Sequence, residues 1–221
     1  AGGTDASHAF SVITDSNSFG AVSFTDNIAA TTINVNGIGG AATFSGTVTA
    51  ATIAVNNTGG NVTFSDAVTA GTVTLTNAGT TPNNVIAFQG NTSVTTGRSA
   101  ANNGFAVSFT GASNDVAGST TFLNDGGIIF GDADTDSITF AGGLVTTGAT
   151  GTLTLMGHVL TTDTAMSLGP ATLAADTWLD SGTGTLTLGN VDGTFDLDIA
   201  CGEIGRASSR ERVLVSVGAV S

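Results

Sequence analysis

Gly20-Ala-Val-Ser-Phe24, Gly40-Ala-Ala-Thr-Phe44 and Gly60-Asn-Val-Thr-Phe64 are one phrase written three times, 20 residues apart, with no insertion between copies. Each copy runs on through an apolar position (Ile28, Val48, Val68), a small one (Ala30, Ala50, Ala70) and a threonine (Thr32, Thr52, Thr72). Each then closes on Ile33-x-Val35, Ile53-x-Val55 or Val73-x-Leu75 before an Asn/Gly turn. Within a copy the apolar positions alternate, which is the strand signal, because successive side chains leave opposite faces. The spacing therefore predicts two short strands per copy, with Val22, Phe24, Ile33 and Val35 inward and Ser23, Thr25, Thr32 and Asn34 outward. Neither strand can bury its apolar face alone, so the copies must stack. Stacking in register places Phe24, Phe44 and Phe64 above one another, about 4.8 Å apart. A one-residue slip would expose every buried side chain, each contributing roughly 1.5–3 kcal/mol. Asn36 and Asn56, then Asn57 and Asn77, fall at the turns, where their side chains can hydrogen-bond up the stack. A β-sandwich also has short strands and Gly-rich turns, but it needs no fixed period. The expected fold is all-β, a parallel β-helix (β-solenoid) with coils of about 20 residues.

Outside the strict repeat the pattern loosens. Residues 1–19 read as an incomplete coil marked by Phe10-Ser-Val-Ile13 and Phe19. An insertion at Thr80-Thr-Pro82-Asn-Asn84 breaks the period at a turn, where solenoids absorb insertions. Coils resume at Val85-Ile-Ala-Phe88, Ala106-Val-Ser-Phe109 and Gly127-Ile-Ile-Phe130. Gly151-Thr-Leu-Thr-Leu155 and Gly184-Thr-Leu-Thr-Leu188 repeat at 33 residues without a Phe, so either the coil lengthens there or its path changes. Nine or ten coils in all would make a rod roughly 45 Å long.

Composition agrees with one continuous core. Glycine supplies 32 of 221 residues and proline only two, with no collagen triplet, and Val, Ile, Leu and Phe are plentiful. No helical stripe and no apolar run near the roughly 18 residues of a membrane span occurs. With no Tyr and one Trp there are no aromatic girdles for a transmembrane barrel. The formal charge of −13 disfavours nucleic acid and anionic membranes, both of which reward basic surface. Lone Cys201 gives no disulfide framework. The chain opens at Ala1 on what reads as the interior of a repeat array, so it is expected to be a piece of something longer.

Residues 203–221 stand apart. Before them the chain has no Glu and a single basic residue, Arg98; they hold Arg206, Arg210, Arg212 and both Glu. Glu203-Ile-Gly-Arg-Ala-Ser-Ser-Arg-Glu-Arg-Val213 resembles the translation of a short sequencing adapter. The expected division is thus a solenoid over 1–202 and a non-native tail over 203–221, the alternative being a basic contact segment.

Segments such as Gly60-Asn-Val-Thr-Phe-Ser-Asp-Ala-Val68 and Leu179-Asp-Ser-Gly-Thr-Gly-Thr-Leu-Thr-Leu-Gly-Asn-Val-Asp192 resemble the repeats of very large bacterial surface proteins. These are the filamentous-haemagglutinin-like exoproteins and the autotransporter-type passengers with β-strand repeats. The likeness covers most of residues 10–200 and lies in composition and phrasing. It implies a secreted, right-handed β-helix stalk at the bacterial cell surface. Its partners would be a host or neighbouring-cell surface or a matrix polysaccharide. No site residue transfers, because the repeats carry none.

Candidate chemistry is sparse. Asp132, Asp134 and Asp136 alternate, and in a turn they could converge on calcium, the one candidate metal, the alternative being a solvated acidic turn; in a strand they would stand about 7 Å apart. Ser137 and Gly143 stand where a helix-loop-helix calcium loop needs glycine and an acid. Asp192, Asp196 and Asp198 form a second acidic group. The pairs Ser23/Thr25, Thr43/Ser45, Thr63/Ser65 and Ser108/Thr110 suggest the flat hydroxyl files of an ice-binding solenoid, although Ala87, Gln89, Ile129 and Gly131 interrupt them. No catalytic residue is assigned. His8 and His158 lack metal spacing, and no nucleophile elbow occurs. The expected role is a non-catalytic structural or adhesive stalk. A polysaccharide-active β-helix enzyme is the alternative, and a groove with converging carboxylates would mark it.

Overall fold

The computed structural model describes residues 9–13, 20–76, 78, 84–204 and 208–209, which are strand, turn, bend or irregular chain, with no helix among them. Every strand pairing is parallel, and the chain winds through about nine turns of a β-solenoid. Register partners are 20 residues apart through the strict repeat, as Val22↔Ala42↔Val62. The insertion after Asn77 lengthens one coil, so Val62 pairs with Ile86, 24 residues on.

The ladders form three faces, where the periodicity predicts two strands per copy. The first carries Val22–Phe24, Ala42–Phe44, Val62–Phe64, Val85–Phe88, Ala106–Phe109 and Ile128–Phe130. The other two come from single long strands that turn a corner: Ile28–Ile38, Val48–Thr58 and Val68–Leu75. In Val48–Thr58 the buried residues are 48 and 50, then 53, 55 and 58, so the alternation skips one residue at Ala51. That phase slip is the corner. The apolar and small positions between the two expected strands, Val48 and Ala50 with their counterparts, are inward residues of the second face, and the small one, Ala50, stands next to the corner where two faces converge.

Inside, Phe24, Phe44, Phe64, Phe88 and Phe109 stack with ring centroids 5.0, 4.9, 4.9 and 5.1 Å apart. The stack ends where all three faces contribute a ring. Phe130 tilts 47° from Phe109, and Phe122 lies edge-on to Phe109 and Phe140. Above this level Leu155 and Leu173 continue the file.

Side chains at the turns bond from rung to rung. The expected Asn files differ in detail: a bulge pairs Asn36 with Asn57, and the bonds run from Asn56 Nδ2 to Asn34 Oδ1 (2.7 Å) and from Thr76 Oγ1 to Asn56 Oδ1 (3.4 Å). Asn77 lies outside the described residues. The 33-residue repeat is no longer coil and no change of path. Leu153–Leu155 lies on the first face, and Leu186–Leu188 lies on the third, above Met166–Leu168. One apolar phrase serves two faces because each needs the same alternation. At the far end, Glu203–Ile204 pairs with Thr185–Leu186 and Ser208–Ser209 with Asn190–Val191; the rest of the expected tail, residues 205–207 and 210–221, lies outside the described residues.

Candidate functional site

The spacing of 20 returns late in the chain on the second face. His158, Trp178 and Asp198 are register partners on three successive rungs. The residues following them, Val159, Leu179 and Ile199, are buried, so these three point outward. The His158 and Trp178 rings meet edge to face at 5.0 Å and 73°. Trp178 keeps 38% of its surface exposed, although exposed strand positions favour polar side chains. One residue pair before it, Asp176 Oδ1 accepts a hydrogen bond from the Asp196 amide at 3.0 Å. With Asp134 these side chains line an open groove of about 250 Å³.

Asp134 reaches the groove through a tight turn. Gly131 and Gly157 adopt φ of 79° and 74°, left-handed backbone suited to glycine. Residues 131–137 thereby fold over the corner that precedes His158. Buried Asp136 closes the turn: its Oδ2 accepts the amides of Asp132 (2.8 Å) and Ala133 (3.1 Å). The Asp136 carbonyl accepts the His158 amide at 2.7 Å, tying the turn to the rung that carries His158. Desolvation, then the hydrogen bond and charge of Asp136, pushes the Asp132 carboxyl up.

Of the candidate calcium carboxylates, Asp136 accepts backbone amides and Asp134 lines the groove. Among the described residues no three His, Cys, Asp or Glu side chains gather as a metal site requires. The second acidic group also divides. Asp196 and Asp198 enter the groove, whereas Asp192 edges a separate hollow of about 510 Å³ beside Pro170 and Asn190. The outward file of the first face reads Ser23, Thr43, Thr63, Ala87, Ser108, Ile129, Thr154, Thr172 and Asp192, so hydroxyls run no more than three rungs before an apolar side chain breaks them.

Arg98 lies elsewhere. It takes the inward place of Val73 one coil below and is 4% exposed. Its guanidinium carbon sits 4.2 Å from the Phe88 ring centroid and 4.0 Å from that of Phe109. Ala100, where Leu75 stands below and Phe122 above, leaves it room. Burial holds its pKa well below the usual value, and none of its side-chain nitrogens has a hydrogen-bond partner.

Trp178, His158 and Asp176 were not singled out as a site from the sequence. The signal was the spacing itself, 158, 178 and 198, but the three side chains share no chemistry that would mark them as a repeat. Comparison of the chain with protein-family models, with curated proteins and with solved structures finds no match.

Proposed function

We propose that the solenoid is a non-catalytic stalk segment of a secreted bacterial surface protein, extending and displaying adhesive contacts toward a neighbouring cell, a host surface or matrix polysaccharide. The observation that carries this reading is the continuous buried interior that all three faces build, apolar at most rungs and interrupted inward by Arg98 and Thr120 on one of them. Val48, Val55, Phe64, Val73, Phe88, Phe109, Phe130, Leu155, Leu168, Leu188 and Ile199 are all buried, and each rung is sealed by the next. A chain built this way is stabilised rung by rung and leaves its lateral faces free for display. Its outer face is acidic: the chain has no Lys, and the one Arg before residue 203 is inside.

The alternative, a polysaccharide-active enzyme, is favoured by one feature, the groove that gathers four Asp with His158. A single assay separates the two. Beads carrying the full chain are passed over immobilised acidic, neutral and amino polysaccharides, and the eluate is assayed for new reducing ends and unsaturated sugars. The stalk reading expects retention without chemical change. Product formation that disappears in Asp176→Asn would replace it with the enzyme.

A further inference from the structure

We propose that the groove beside Trp178 binds a glucosamine-type amino sugar, a pyranose ring bearing a protonated amine, as part of a matrix polysaccharide. The inference rests on the adhesive half of the stalk reading and supplies its ligand class.

The carboxylates alone would be an ordinary solvated face. What sets this place apart is an indole held open among them. Lower in the same outward file the structure has Ser113 and Ser137, then His158 and Trp178. Indole pairs an apolar body with a polar tip, and its wet surface is lowered in cost by a flat apolar partner. The C–H face of a pyranose is such a partner. His158, packed edge to face at 5.0 Å, restricts the turning of the indole and leaves the rest of the ring to the groove. A second exposed aromatic, Phe195, stands on the turn that delivers Asp196.

Charge selects which sugar. Asp134, Asp176, Asp196 and Asp198 line the same groove as the indole, and no Lys or Arg side chain of residues 20–202 lies on the surface to neutralise them, because Arg98 is buried. An ammonium group beside the indole gains from the π-face and from charge-assisted hydrogen bonds to the carboxylates. From His158 to Asp198 is two rung steps, about 10 Å, so the site runs along the solenoid and suits consecutive units of a chain. A lysine side chain would bring the charge without the flat face, and a neutral sugar the face without the charge.

Trp178 is the only Trp and there is no Tyr, so tryptophan emission, excited where phenylalanine does not absorb, reports this groove alone. The protein is titrated at low salt with a glucosamine tetramer, an N-acetylglucosamine tetramer and tetralysine. The expected result is a saturable emission change with the deacetylated sugar, at least about tenfold tighter than with either comparator, weakening as salt screens the carboxylates. Asp176→Asn combined with Asp198→Asn keeps the indole and should weaken binding about tenfold or more, with an unchanged circular dichroism spectrum showing the fold intact. Equal binding of the acetylated tetramer would show that the charge is not used, and equal binding of tetralysine that any cation suffices. Either result, or no saturable change, overturns the proposal. Retention of protein-coated beads on the other polysaccharides would still leave the stalk reading standing.

Discussion

Arg98 occupies the inward position that Val73 fills one coil below and Thr120 one coil above, so its charge is set inside the solenoid by register alone. Its desolvation costs several kcal/mol, and stacking against Phe88 and Phe109 returns about 2 kcal/mol at best. The balance predicts that Arg98→Met, which keeps the volume and removes the charge, raises stability by at least about 1 kcal/mol, read as a higher urea midpoint at unchanged slope. A lower midpoint would mean that the two rings outweigh the burial. A second residue-scale device is Asp163, whose backbone takes φ 52°. Its Oδ1 accepts the amide (2.9 Å) and the hydroxyl (3.1 Å) of Thr183 on the next rung, and these bonds hold its carboxyl below the usual range. The folded pKa is depressed, so the contribution is present above the unfolded value of about 3.9 and is lost as pH falls through the lower folded value. Melting of Asp163→Asn should fall below that of the wild type near about pH 6, and the difference should close toward about pH 2.

At the scale of the strand, each rung owes its place to the two it touches. Phe64 lies midway in the aromatic stack, fully buried between Phe44 and Phe88, so Phe64→Ala removes contacts on both sides. A loss of about 3–5 kcal/mol is expected in equilibrium unfolding, against well under 1 kcal/mol for Phe195→Ala on an exposed turn. The turns are under a different constraint, the closeness of the backbones. A Cβ on Gly118 would run into the carbonyl group of Thr96 on the rung below. Gly118→Ala therefore has to push two rungs apart, and a drop of more than about 1 kcal/mol is expected, with the nearby pairing of Thr120 to Arg98 losing amide protection first.

At the scale of the molecule, stability that is summed along one axis makes the coil the unit that can be removed. Residues 40–59 form one period, and Val22 pairs with Ala42 as Ala42 pairs with Val62. Deleting 40–59 joins Gly39 to Gly60 and presents Val62 to Val22 in the same register. The shortened chain should keep its β circular dichroism and unfold at a lower midpoint, whereas deleting 40–60 shifts the phase by one residue and should leave the chain unfolded or aggregated.

How much of this was legible in the chain differs from element to element. The Phe stack was legible because the same residue returns at the same phase, and stacking in register brings Phe24, Phe44 and Phe64 into one file. The second face was not, because the short apolar stretch Val48-Thr-Ala50 and its counterparts lies directly before Ile53-x-Val55 and shows as a separate face only once the corner between them is seen. The groove was hidden for a related reason. His158, Trp178 and Asp198 are as far apart in sequence as the repeated phenylalanines, but their side chains differ, and only stacking in register makes them neighbours. The amino-acid sequence by itself determined the parallel coil, since period and alternation are properties of single positions. The tertiary structure alone decided which acids meet the indole and that Arg98 turns inward, because both follow from how insertions and corners shift one rung against the next.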